Sequence, residues 1–102
     1  MMEDINSIAF ELILCAGNGR SCAMEAIQEA KKGDFQRAEE LLKEATTELG
    51  KAHSFQTKLI QGEAGGESNP INILLIHAQD HLMTAMTVRD LATEIVELYK
   101  LR

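Results

Sequence analysis

The sequence predicts an all-α protein, an antiparallel three-helix bundle. Three observations lead there. Only one proline stands in 102 residues, with few aromatics and few β-branched runs, so little breaks a helix and little favours a strand. Apolar and small residues recur at alternating steps of three and four. Two short stretches of turn chemistry divide the chain into three pieces of about 25–30 residues, the layout of an up-down-up bundle.

The first helix opens at Asp4, whose carboxylate suits an N-cap. Its seam runs through Ile5, Ile8, Leu12, Cys15, Gly19, Cys22, Ala26 and Ala30. Gly17 and Gly19 interrupt it, each costing about 1 kcal/mol against alanine in a helix interior. They mark either a kink or the close approach of a neighbouring helix. Cys15 and Cys22 stand about 10 Å apart along a helix axis, beyond the roughly 7 Å between the Cα atoms of a disulfide. No histidine or basic residue is placed to lower their pKa, so both read as small core residues in a reducing compartment.

Lys31-Lys32-Gly33-Asp34 stops one helix and starts the next. The lysines suit the negative end of a helix dipole, Gly33 a left-handed C′ position, and Asp34 a second N-cap. The second helix carries Ala38, Leu41, Ala45, Leu49, Ala52, Gln56 and Leu59 along one stripe. Glu39 and Lys43 form a favourable i,i+4 pair on its wet face. Gln56 falls on the core stripe and needs a partner. His53 reads as a surface or packing histidine, and Thr57 as structural. Gly62 to Pro70 is a loop by composition, without the Lys-Ser/Thr of a phosphate-cradling loop. Asn69 and Pro70 suit the cap and first turn of a third helix reaching about Lys100.

Hydrophobic residues make up 45% of the chain and charged ones 25%, ordinary for a globular protein of a single domain over 1–102. Sixteen acids against ten bases give a net charge of −6. That balance argues against a nucleic-acid binder, which needs clustered Lys and Arg to displace counterions. The longest apolar run, Leu12 to Ala16, is far short of the roughly 20 residues of a membrane span. No basic stretch leads into a leader-like apolar one, so the expected compartment is the cytoplasm.

The third helix is the informative one. From Ser68 to Thr87 its only formal charge is Asp80. At 100° per residue, Leu74, His77, His81, Thr84, Val88, Ile95 and Tyr99 share a face, with Asp80 and Leu91 at its edge. Leu75, Leu82, Met83 and Met86 lie opposite. A helix apolar nearly all round needs burial all round, and two partner helices cannot supply it. Self-association through the first half of this helix follows.

Within that half sit His77, Gln79, Asp80 and His81. Three chemistries fit them. His-x-x-x-His is a two-ligand metal spacing, and H-x-x-D-H superficially resembles inverted zinc-protease motifs. A buried polar cluster can also fix oligomer register. The third is phosphoryl transfer on histidine: neutral imidazole is a nucleophile at pH 7, helped by an acceptor on its other nitrogen and by donors for the phosphoryl oxygens. His81, one turn on, can donate. Gln79 points elsewhere on the helix and suits a site shared between subunits.

HAQDHLMT at 77–84 resembles the signature of the lactose/cellobiose-type IIA components of the bacterial sugar phosphotransferase system. AGNGRS at 16–21, GDFQRAEELLKEA at 33–45, AHSFQTKLIQGEAGG at 52–66 and ELYK at 97–100 follow in that family's order and spacing. Gly19 departs from it, standing where the family often has alanine. The resemblance implies a three-helix bundle assembled as a homotrimer, with His77 phosphorylated on Nε2. It implies phospho-HPr as donor, a cysteine of a cognate IIB component as acceptor, and a sugar carried by the membrane component IIC. It implies that Asp80 meets its two copies at the threefold axis around a divalent cation, typically Mg²⁺. The family's sugars are β-linked disaccharides: lactose, cellobiose and diacetylchitobiose. GDF and the alanines after it also resemble half of a tetratricopeptide unit, which would make the chain a helical adaptor, although no 34-residue period accompanies it.

Overall fold

The computed structural model describes residues 5–102. Three helices account for nearly all of them: α1 (Ile5–Lys31), α2 (Phe35–Ala64) and α3 (Ile73–Lys100). No strand occurs among the described residues. They pack into a rod of 52 × 20 × 20 Å in which α1 contacts both other helices more extensively than these contact each other. The expected cap at Asp4 lies outside the described residues.

Local chemistry sets most boundaries. Gly33 has φ +87°, a left-handed conformation open to glycine at no steric cost, and it ends α1. Asp34 then caps α2 by accepting from the Arg37 amide at 3.0 Å. Two boundaries differ from the sequence reading. The second helix continues through Gly62 to Ala64, and stops only where Gly66 turns left-handed at φ +100°. The third begins three residues late. Its cap is Asn72, whose side chain accepts from the Leu75 amide at 2.8 Å, while Asn69 and Pro70 remain in non-helical chain. A residue before proline is pushed toward extended backbone, which suits Asn69 to a linker. The Asn72 side chain also donates to Asn6 at 3.1 Å, fixing this start against α1.

The core is floored with alanine. Ala9, Ala16, Ala23, Ala26 and Ala30 of α1 face Ala38, Ala45 and Ala52 of α2 and Ala78, Ala85 and Ala92 of α3, all buried. Leu12, Leu41, Leu49, Leu82 and Val96 are the largest side chains wholly inside. The predicted seam of α1 holds at Leu12, Cys15, Gly19, Ala26 and Ala30, with Ile5, Ile8 and Cys22 half-buried. Ala9, Ala16 and Ala23 add a second buried strip, because α1 has two helices to face. Burial pushes both thiols above their ordinary pKa, aided by Glu48 beside Cys15 and by Glu44 hydrogen-bonded to Cys22. Both are free thiols and poor nucleophiles. Glu39 does not pair with Lys43 as expected; it accepts from Lys100 at 2.6 Å and ties the end of α3 to α2.

The interrupting glycines are not a kink, since α1 runs unbroken through both. A Cβ on Gly19 would lie 2.6 Å from Leu49 Cγ and 3.3 Å from the Ala45 carbonyl oxygen. Here α2 approaches too closely for a side chain. Gly50, by contrast, meets nothing within 4 Å and sits exposed in mid-helix. The two glycines therefore respond with opposite signs. Gly50→Ala will stabilise the fold by about 0.5–1 kcal/mol through helix propensity. Gly19→Ala gains the same propensity but overpacks Leu49, at a cost of about 1–3 kcal/mol, and will be net destabilising. Denaturant unfolding of the two variants checks the signs.

Candidate functional site

Three strips run along α3, and they separate the residues that the sequence had grouped. Ala78, Leu82, Ala85, Ala92 and Val96 face the core. Ile73, Ile76, Asp80, Met83, Leu91 and Leu98 face outward, all exposed; Ile73 is 85% accessible and Leu98 62%. Between them lies a flank carrying the predicted histidine face: Leu74, His81, Val88, Ile95 and Tyr99 are half-buried, and His77 and Thr84 exposed.

His77 and His81 stack on that flank with ring centroids 5.9 Å apart and planes 7° from parallel. One helical turn separates them, which is why i,i+4 rings lie one above the other. His81 is backed by Gly17 of α1: a Cβ there would sit 3.5 Å from His81 Nε2, ordinary contact distance. Beside AGNGRS, Gly17 thus keeps the wall behind the lower imidazole thin. The sequence offered a helix-breaking glycine but no sign of which side chain it faced. His77 makes no hydrogen bond within the described residues, so none of these supplies the acceptor expected on its second ring nitrogen.

Gln79 is not beside the histidines. It turns toward α2, where its Oε1 accepts from Gln56 Nε2 at 2.6 Å. This answers the question of Gln56's partner, and it agrees with Gln79 pointing away from the histidine face. Gln56 Nε2 also lies 3.6 Å from Met83 Sδ. His53 is exposed on α2 and Thr57 half-buried. A surface groove between α1 and α2 is lined by residues such as Asn18, Ser21, Lys43 and Thr47, and includes neither histidine. No three His, Cys, Asp or Glu side chains converge as a metal site among the described residues. The His-x-x-x-His pair by itself offers two ligands, fewer than the three or four protein ligands of a usual zinc site. No described helix is long and apolar enough to cross a membrane.

An exposed imidazole on a rigid helix, stacked on a second, suits a group handed between proteins better than a substrate enclosed in a cleft. Comparison with known proteins decides the family. Residues 7–100 match the family described as the PTS system, lactose/cellobiose specific IIA subunit. This chain belongs to that family.

As a lactose/cellobiose-type IIA component, it is a phosphotransferase carrier, which sets aside the helical adaptor. It is 57% identical over 100 residues to the lichenan-specific phosphotransferase enzyme IIA component of Bacillus subtilis, covering 98% of this chain and 91% of that one. Its fold superposes on the crystal structure of the cellobiose-specific enzyme IIA from Bacillus anthracis with a TM-score of 0.92. That pair is 54% identical, with 98% of this chain and 92% of the other covered. It also matches the IIA(chitobiose) chain solved in complex with HPr from Escherichia coli, with a TM-score of 0.83 and 40% identity. There the match covers 97% of this chain and 96% of the other.

Proposed function

We propose that this IIA component is a cytoplasmic phosphocarrier, one domain over 1–102, that takes a phosphoryl group from phospho-HPr onto His77 and passes it to a cysteine of a IIB component. The observation that carries this reading is the accessibility of His77 in HAQDH, stacked on His81. Nδ1 keeps the ring proton, so Nε2 has a lone pair to attack phosphorus. The bond to the donor breaks as the bond to Nε2 forms, and the reverse sequence delivers the group to the IIB thiolate. His81 supplies an N–H for the phosphoryl oxygens, and Gln79 a supporting amide. The eventual acceptor is a β-linked disaccharide carried by IIC, in keeping with relatives named for lichenan, diacetylchitobiose, lactose and cellobiose. Incubation with phosphoenolpyruvate and the general phosphotransferase proteins tests it: acid-labile phosphate on His77 is the expected product.

The active form is proposed to be a homotrimer of antiparallel bundles. Cross-helix pairs support the antiparallel run, since Gly19 meets Leu49, Cys22 meets Glu44, Gln56 meets Gln79 and Glu39 meets Lys100. The outward strip of α3 supports self-association, because a row of exposed Ile, Met and Leu needs cover. Asp80 lies in that row. One carboxylate is a poor cation site, whereas three brought to a threefold axis suit Mg²⁺ and need its charge. Bound there, the ion would neutralise the axis and take no part in the transfer.

A net charge of −6 favours encounter with a basic partner surface. The association rate with HPr is expected to fall as salt rises, while dissociation changes little. Stopped-flow mixing across ionic strength measures this, and a flat association rate would contradict it.

A further inference from the structure

Gln56 is the one polar side chain buried in the core among the described residues. A buried carboxamide destabilises the fold unless hydrogen bonds replace its water. Its Nε2 donates to Gln79 Oε1 at 2.6 Å and lies 3.6 Å from Met83 Sδ. The sulfur decides which end of Gln56 is which. A thioether accepts weakly and never donates, so the end facing it is the N–H₂ end. That end requires an acceptor from Gln79, and Gln79 turns its oxygen to meet it. What Gln79 has left is its own N–H₂, on a half-buried residue two positions after His77.

We propose that Gln56 is a positioning residue for phosphoryl transfer, holding Gln79 so that it meets phosphoryl oxygens as an N–H donor and never as an acceptor. The proposal rests on the reading of His77 given above. Phosphoryl oxygens are negative and need donors; a carbonyl turned at them repels. An unheld carboxamide offers either end. Gln79 is held by a residue that is itself held. At 100° per residue Gln79 lies about 200° around α3 from His77. The oxygens it meets are therefore those on His77 of a neighbouring copy in the proposed assembly.

Two variants test this. Gln56→Leu leaves the site apolar and releases Gln79. Gln56→Glu keeps the shape but only accepts, so it draws the Gln79 N–H₂ inward. Each is assayed for phosphoryl transfer from phospho-HPr, with light scattering and a thermal melt to verify assembly and folding. In both, kcat is expected to fall roughly tenfold to a hundredfold, below the 10²–10³-fold cost of deleting an oxyanion donor outright. KM for the donor should stay within about threefold. In nitrogen-15 spectra, the Gln79 side-chain resonance of the unaltered protein should move on phosphorylation, and that of Gln56→Leu should not. If Gln56→Glu fails to fold, Gln56→Leu, which buries no charge, carries the test. A folded Gln56→Leu protein with unaltered kcat overturns the proposal. So does a Gln79 resonance that ignores phosphorylation while the label sits on His77. Label on another residue overturns the reading of His77, and this proposal with it.

Discussion

A His77→Ala chain will accept no acid-labile phosphate from phospho-HPr. Without the imidazole there is no nitrogen to form the covalent intermediate, so transfer should fall by more than about a thousandfold. The substitution is informative because His77 is exposed and makes no hydrogen bond within the described residues. Surface changes of this kind usually alter stability by no more than about 0.5 kcal/mol. Loss of transfer in a protein with an unchanged melting curve then reports chemistry rather than folding. His81→Ala separates the two rings: it removes a donor and the stacking partner but leaves the nucleophile. Its loss should be partial. Label retained by His77→Ala would end the assignment of the carrier residue.

The second large effect concerns Asp80. In the proposed trimer three copies of this exposed carboxylate converge among Ile76 and Met83 and their counterparts. Like charges gathered there repel unless a cation offsets them or some are protonated. Chelation of Mg²⁺ should lower the melting temperature of the unaltered protein by about 4–8 °C for each 1 kcal/mol lost, on the scale of a domain this size. Asp80→Asn removes both the ligand and the repulsion. Its melting temperature should ignore chelator and exceed that of the chelated parent. Light scattering supplies the mass. A monomeric parent, or one whose melting is insensitive to chelator, would rule out the axial cation.

How far the fold was legible depended on how local its causes were. Gly33 and Asp34 act within a few residues, through a positive φ and a single side-chain bond, and both were readable. Asn69-Pro70 carried equally good capping chemistry and was passed over for Asn72. What favours Asn72 includes Asn6, adjacent in space but at the start of another helix, and invisible to any local rule. Gly19 is the same case: whether it was a kink or a contact depended on Leu49 arriving from α2. At the site, the pattern H-x-x-x-H gave the nearness of His77 and His81 on one face, because helix periodicity sets it; the parallel stacking of the rings came from the structure. It could not give Gln56 as the holder of Gln79, which needs the register between two helices. The apolar third helix was read as buried all round. In the single chain it divides into a core strip, a flank and an open strip, and only the open strip remains in want of cover.

An interior tiled with the smallest side chains also shapes how such a protein can change over generations. Methyl groups packed against methyl groups leave no slack for enlargement, and trimming them removes little. Variation that the rod survives is thereby driven to its outer surface. The helices can in this way diverge outside while the register between them is kept.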